Sequence, residues 1–237
     1  MKDPKMTSNM FSNQNLNKSR SAFLFCISFL LLGLLCPSAH AGNTKWIKCV
    51  GDSITRGAGV QDRKTESYPA QLSTILGKDW KVKLYNLGVN GSTMLKKGDN
   101  SYWNTNLIKQ RKPENIDIFV IMLGTNDSKP GNWKHKDEFA QDYEEMIKAL
   151  REISAKSKIY AVLPPPAYPG RWGINDQVIK DEIIPRIKEV AEKTGVELID
   201  VYTPLSGKPH LFPDTVHPNA EGAKLIAETV AKALMKH

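Results

Sequence analysis

The chain has 237 residues, 41% of them hydrophobic and 8% aromatic, which is enough to bury the core of one domain and too apolar for a disordered segment. Its formal charge of +8 is partly local, because Lys2, Lys5, Lys18 and Arg20 against Asp3 supply +3, leaving +5 after residue 41. Those remaining bases are scattered among acids without interleaved aromatics or a binding motif, which speaks against a nucleic-acid partner.

Lys18 and Arg20 precede an almost uncharged apolar run over 21–35, and Ala39-His40-Ala41 offers the small residues of a cleavage site before Gly42. The run is too short to cross a bilayer, so 1–41 reads as a secretory signal peptide and 42–237 as a single domain. The expected destination is the periplasm or the exterior, with no stable membrane association afterwards. Cys36 closes the apolar run as a lipid-anchoring cysteine would, but Leu35 is bulky where such a site takes a small residue. Cys26 and Cys36 would leave with the leader, and Cys49, alone on an apolar run, reads as a core residue.

Beyond the leader, apolar runs at 46–50, 82–87, 116–123, 159–163 and 196–201 alternate with helical patterns. That alternation predicts a parallel sheet with crossover helices. A weak helical pattern covers 68–76. Phe139, Tyr143, Met146, Ile147, Leu150 and Ile153 recur at spacings of three and four, giving one apolar face on a helix. Ile183, Ile184, Ile187, Val190 and Ala191 repeat the pattern, with Pro185 expected to kink it. Ala223, Ile226, Ala227, Val230 and Leu234 build a closing helix whose first turn reads as 218–221.

In a parallel sheet the loops after the strands open on one edge, where ligands bind. Four of those loops carry polar chemistry: Gly51-Asp52-Ser53, the Asn90-Gly91 loop, Gly124-Thr125-Asn126-Asp127, and Asp214-Thr215-Val216-His217. Ser53 surfaces where a buried strand ends, which suits either a nucleophile or a simple helix cap. Asp214 and His217 are spaced so that the carboxylate can hold one imidazole nitrogen while the other faces outward. The alternative is a capping histidine beside an ordinary turn acid. Gly91 and Asn126 offer an amide each, and both also fit as turn formers.

These four blocks, in this order, resemble the SGNH (GDSL-like) hydrolase family across nearly the whole of 42–237. Ile54 stands where the family's namesake motif has leucine. The resemblance implies a flavodoxin-like three-layer α/β/α sandwich on a five-stranded parallel sheet. It implies Ser53 as nucleophile, His217 as base, Asp214 as its partner, and Ser53, Gly91 and Asn126 as oxyanion-hole donors. It further implies ester hydrolysis through an acyl-enzyme, with no metal or organic cofactor.

Aromatics on the loops and the absence of a long apolar lid point to a glycan or small-molecule ester, and the likeness is nearest in character to carbohydrate O-acetylesterases such as sialate O-acetylesterases or acetylxylan esterases. Asp52, Asp127, Trp133 and Tyr168 are the candidate substrate contacts, while Tyr102, Trp103 and Trp172 are further loop aromatics. A lysophospholipase or thioesterase of the same fold, and a non-catalytic carbohydrate-binding relative, are the alternatives. Asp52, Asn126, Asp127 and His217 are also ligand-type residues, but no paired-histidine motif supports a metal-dependent phosphoesterase. Thr55, two after Ser53, replaces the glycine that the nucleophile elbow of an α/β-hydrolase requires.

Overall fold

The computed structural model describes residues 43–236 except 170, so the expected leader lies outside the described residues. Five strands form a sheet: β1 (Lys45–Gly51), β2 (Val82–Gly88), β3 (Ile118–Met122), β4 (Lys158–Leu163) and β5 (Glu197–Asp200). All neighbours pair in parallel, in the order β2-β1-β3-β4-β5.

The central strand β3 reads Ile-Phe-Val-Ile-Met and is buried at every position, as a strand covered on both faces must be. Side chains alternate across the sheet. Ile118, Val120 and Met122 therefore join the core beneath helices α1 (Tyr68–Leu76) and α4 (Ala220–Leu234). Phe119 and Ile121 join the core beneath α2 (Phe139–Ile153) and α3 (Ile184–Thr194). The result is the expected three-layer α/β/α sandwich. Each fully buried Leu, Ile or Phe in these layers contributes about 1.5–3 kcal/mol relative to exposure. Edge strand β2 is only partly covered, consistent with its Lys83, Tyr85 and Asn86.

Every apolar position assigned to α2 is buried, and α1 occupies the expected residues. Two local expectations change. Pro185 does not kink the middle of a helix: a wide turn over Ile179–Ile183 precedes it, and proline sits in the first turn of α3, where its missing N–H costs no hydrogen bond. Helix α4 begins at Ala220 rather than Pro218, because the Asn219 side chain accepts the Gly222 amide at 2.9 Å and caps it. Cys49 is fully buried on β1, and burial pushes its thiol up to about 12.

Because β1 leads to β2 on one side and β3 lies on the other, the strand order reverses between β1 and β3. Ligands bind outside the carboxyl ends of strands at such a point. The loops that leave β1, β2 and β3 carry Ser53, Gly91 and Asn126 respectively.

Candidate active site

Strand β1 ends at Gly51, and the chain turns at once into a single helical turn, Ser53–Arg56. Asp52 caps that turn, its carboxylate accepting the Ile54 amide at 2.9 Å, and Gly57 closes it in the left-handed region at φ 95°. Ser53 is the first residue of the turn, so its amide has no intrahelical acceptor and can serve a ligand. The residue itself is 8% exposed.

His217 reaches Ser53 from the loop just before α4. Asp214 Oδ1 accepts the His217 amide at 2.7 Å and the Val216 amide at 3.0 Å, folding the four residues into a tight turn. Asp214 Oδ2 lies 2.8 Å from His217 Nδ1, and His217 Nε2 lies 2.8 Å from Ser53 Oγ. The tautomer that satisfies both contacts has Nδ1–H donating to the carboxylate and Nε2 accepting from the hydroxyl. Burial disfavours the charged Asp214, but the His217 amide and ring and the Val216 amide outweigh it and hold the carboxyl below its usual range.

Two neighbours hold this turn in place. Thr215 adopts φ 73°, an unusual conformation for a threonine, and its carbonyl accepts the Tyr168 amide at 2.7 Å. Gly59, at φ 94°, packs so closely that a Cβ there would meet the His217 Cβ at 2.8 Å and the Pro218 carbonyl at 2.7 Å. Neither residue carries a sequence signal of this role, because both act through backbone shape.

Asn126 opens a short 3-10 turn after β3 and is 6% exposed. Its Nδ2 donates to the Ser92 carbonyl at 3.1 Å and makes a long 3.5 Å contact with Asp52 Oδ2. The long contact is the weak one, so that hydrogen can turn to a ligand oxygen. Gly91 has φ 74°, which aims its amide in a way few side-chain-bearing residues permit. Ser53, Gly91, Asn126 and His217 line one cavity of about 230 Å³, closed by Lys129, Trp172 and Ile174.

None of the four residues expected to touch substrate lines the Ser53 pocket. Asp52 and Asp127 are 1% and 0% exposed. Asp127 accepts the Met94 and Leu95 amides at 2.9 and 2.8 Å, tying the loop after β2 to the loop after β3. Burial pushes both carboxyls up to about 7, against hydrogen bonds that pull them down. Trp133 is a core residue, edge-on to Phe139 at 5.4 Å with the Arg186 guanidinium 5.3 Å from its ring. Tyr168 donates to the Leu205 carbonyl and accepts the Lys208 amide, and it lines a neighbouring cavity. The aromatic at the site is Trp172, 55% exposed and 5.2 Å from the His217 ring. Its positive φ of 53° turns it there, a backbone feature that composition does not reveal.

Among the described residues no three His, Cys, Asp or Glu side chains converge to hold a metal ion. The arrangement is that of a hydroxyl in contact with an imidazole backed by a carboxylate, facing a cavity lined by neutral donors.

The sequence profile of the GDSL-like Lipase/Acylhydrolase family matches residues 49–225. An acetylxylan esterase of Xylanibacter ruminicola is 43% identical over 206 residues, covering 79% of this chain but only 42% of that protein, so the chain spans less than half the relative's length. An arylesterase of Vibrio mimicus is 28% identical over 212 residues, covering 87% of this chain and 96% of the relative. Among solved structures, a putative arylesterase from Agrobacterium tumefaciens str. C58 matches with a TM-score of 0.66 at 22% identity, and a carbohydrate acetylesterase from Sinorhizobium meliloti with 0.67 at 20%. Each match covers 81% of this chain and 99% of the other. At those identities the likeness is one of fold.

Proposed function

The chain belongs to the GDSL-like lipase/acylhydrolase family, and from that premise we propose that it is a secreted serine esterase that removes O-acetyl groups from carbohydrates through an acyl-enzyme. The observation that carries this reading is the unbroken relay from Ser53 Oγ to His217 to Asp214, 2.8 Å at each step. Ser53 attacks the ester carbonyl as His217 Nε2 takes its proton, and Asp214 stabilises the imidazolium that forms. The oxyanion is met by the Ser53 and Gly91 amides and by Asn126 Nδ2. His217 returns the proton to the departing sugar hydroxyl. Water, activated by the same imidazole, then releases acetate and frees Ser53.

A cavity of about 230 Å³ suits a short acyl group better than a fatty chain. The carbohydrate reading draws support from the 43% identical acetylxylan esterase, and the leader composition supports export. Hydrolysis of aryl esters is a second reading, favoured by exposed Trp172 beside the imidazole and by the Vibrio mimicus relative.

The test is acetate release from acetylated xylan, acetylated pectin and O-acetylated sialic acids, beside p-nitrophenyl acetate and octanoate. Release from a glycan that disappears in Ser53→Ala supports the proposal. Turnover confined to aryl esters, or faster on octanoate than acetate, refutes it.

A further inference from the structure

A second cavity lies beside the Ser53 pocket. It is a cleft of about 560 Å³, within the 300–1,000 Å³ typical of ligand sites, and Ile174 forms a wall of both. The two are also joined by backbone: the Tyr168 amide in the cleft wall holds the Thr215 carbonyl between Asp214 and His217. The cleft therefore lies against the Ser53 pocket, with Ile174 between them.

Its lining is amphipathic. Tyr168, Tyr202 and Pro169 present flat apolar surface, while Asn175 and Gln177 are exposed amides at its edge. Tyr202 is fixed by its hydroxyl donating to Asp176 at 3.0 Å, and Asp176 also accepts the Ala167 amide at 2.9 Å. Rigid aromatic faces with planar amides beside them match the two surfaces of a pyranose, its C–H face and its equatorial hydroxyls. Asp176 is the only charged residue in the lining, so a sugar carrying a carboxylate would be repelled. A third cavity, of about 430 Å³, shares Lys129 and Trp172 with the Ser53 pocket and carries Lys97, Lys129 and Lys134 with Asp99.

We propose that the 560 Å³ cleft is a subsite for a neutral pyranose unit adjoining the acetylated one, so that the preferred substrate is an acetylated neutral oligosaccharide or polysaccharide. This rests on the reading of the Ser53 pocket as a carbohydrate-acetyl site. It extends that reading from the bond cleaved to the chain that carries it.

The experiment compares kcat/KM for p-nitrophenyl acetate, a methyl mono-O-acetyl-xyloside, xylotriose acetylated on its central unit, and a mono-O-acetylated trigalacturonate. The expected result is a gain of at least tenfold from xyloside to xylotriose, expressed mainly in KM, and no comparable gain for the trigalacturonate. In Tyr202→Ala the ratio of xylotriose to aryl acetate activity should fall about tenfold. Gln177→Trp, an exposed change whose bulk fills the cleft, should lower the same ratio if Tyr202→Ala does not fold. Equal values for xyloside and xylotriose, or a ratio that Gln177→Trp leaves alone, would overturn the subsite while sparing the acetylesterase reading. Failure of every sugar acetate beside brisk aryl acetate turnover would remove both.

Discussion

Replacing Asp214 by asparagine isolates the carboxylate's electronic role from its structural one. In the native turn one carboxylate oxygen accepts two backbone amides, at 2.7 and 3.0 Å, and the other takes the His217 ring at 2.8 Å. An asparagine oxygen can keep both amide bonds, which leaves its NH₂ facing Nδ1. The ring must then carry its proton on Nε2, pointing at Ser53 Oγ 2.8 Å away, and it can no longer accept the serine's proton. The same change in serine proteases lowers kcat by about 10⁴. At about 1.4 kcal/mol per tenfold, that is about 5.5 kcal/mol of lost transition-state stabilisation. Here the Asp214 side chain is 25% exposed and the His217 side chain 13%, so water can partly replace the carboxylate. We therefore expect kcat for p-nitrophenyl acetate to fall by about 10³–10⁴ in Asp214→Asn, with KM little changed. Retained amide bonds should keep the melting temperature within about 4 °C, corresponding to about 1 kcal/mol in a domain of this size. A loss below tenfold in a folded variant would mean that Asp214 does not orient the base.

Asn126→Ala should reduce kcat by about 10²–10³ if its amide meets the oxyanion, whereas a change confined to KM would assign it to ground-state binding. Gly59→Ala forces a Cβ to within 2.8 Å of the His217 Cβ and strains φ 94°, so kcat should drop by about 10²; a fully active variant would show that the base turn can yield. For Asp127 the folded carboxyl, pushed up to about 7, binds protons that the unfolded chain has already released above about 4. Its contribution to stability is thus present below about pH 4 and fades as pH rises through 7. Thermal melts from pH 4 to 8 should show a shallower decline for Asp127→Asn than for the native chain, and parallel curves would count against a raised value.

Much of the fold is written in local patterns. Ile118 to Met122 is a run of β-formers that only a doubly covered strand can use, and the spacing from Phe139 to Ile153 marks one buried helix face. Edges were less legible, since the start of α4 depends on a single capping contact from Asn219 rather than on hydrophobic spacing. At the site, Ser53, Asn126, Asp214 and His217 announce themselves because their chemistry is rare in ordinary loops. Asp52 and Asp127 announce themselves too, yet they are buried and spend their oxygens on amides or cap contacts. A one-dimensional string cannot tell a carboxylate facing solvent from one holding two loops together.

The sequence alone determined the order of strands and helices, the reactive residue types and their places at strand ends, because hydrophobic period and turn chemistry are local properties. Tertiary structure decided which of those residues meet. It brought His217 to within 2.8 Å of Ser53 across 164 positions, sent Trp133 into the core, and turned Trp172 toward the imidazole in its place. The physical reason is that a parallel sheet gathers distant loops on one edge, while backbone torsions such as those at Gly59, Trp172 and Thr215 set where each side chain then points.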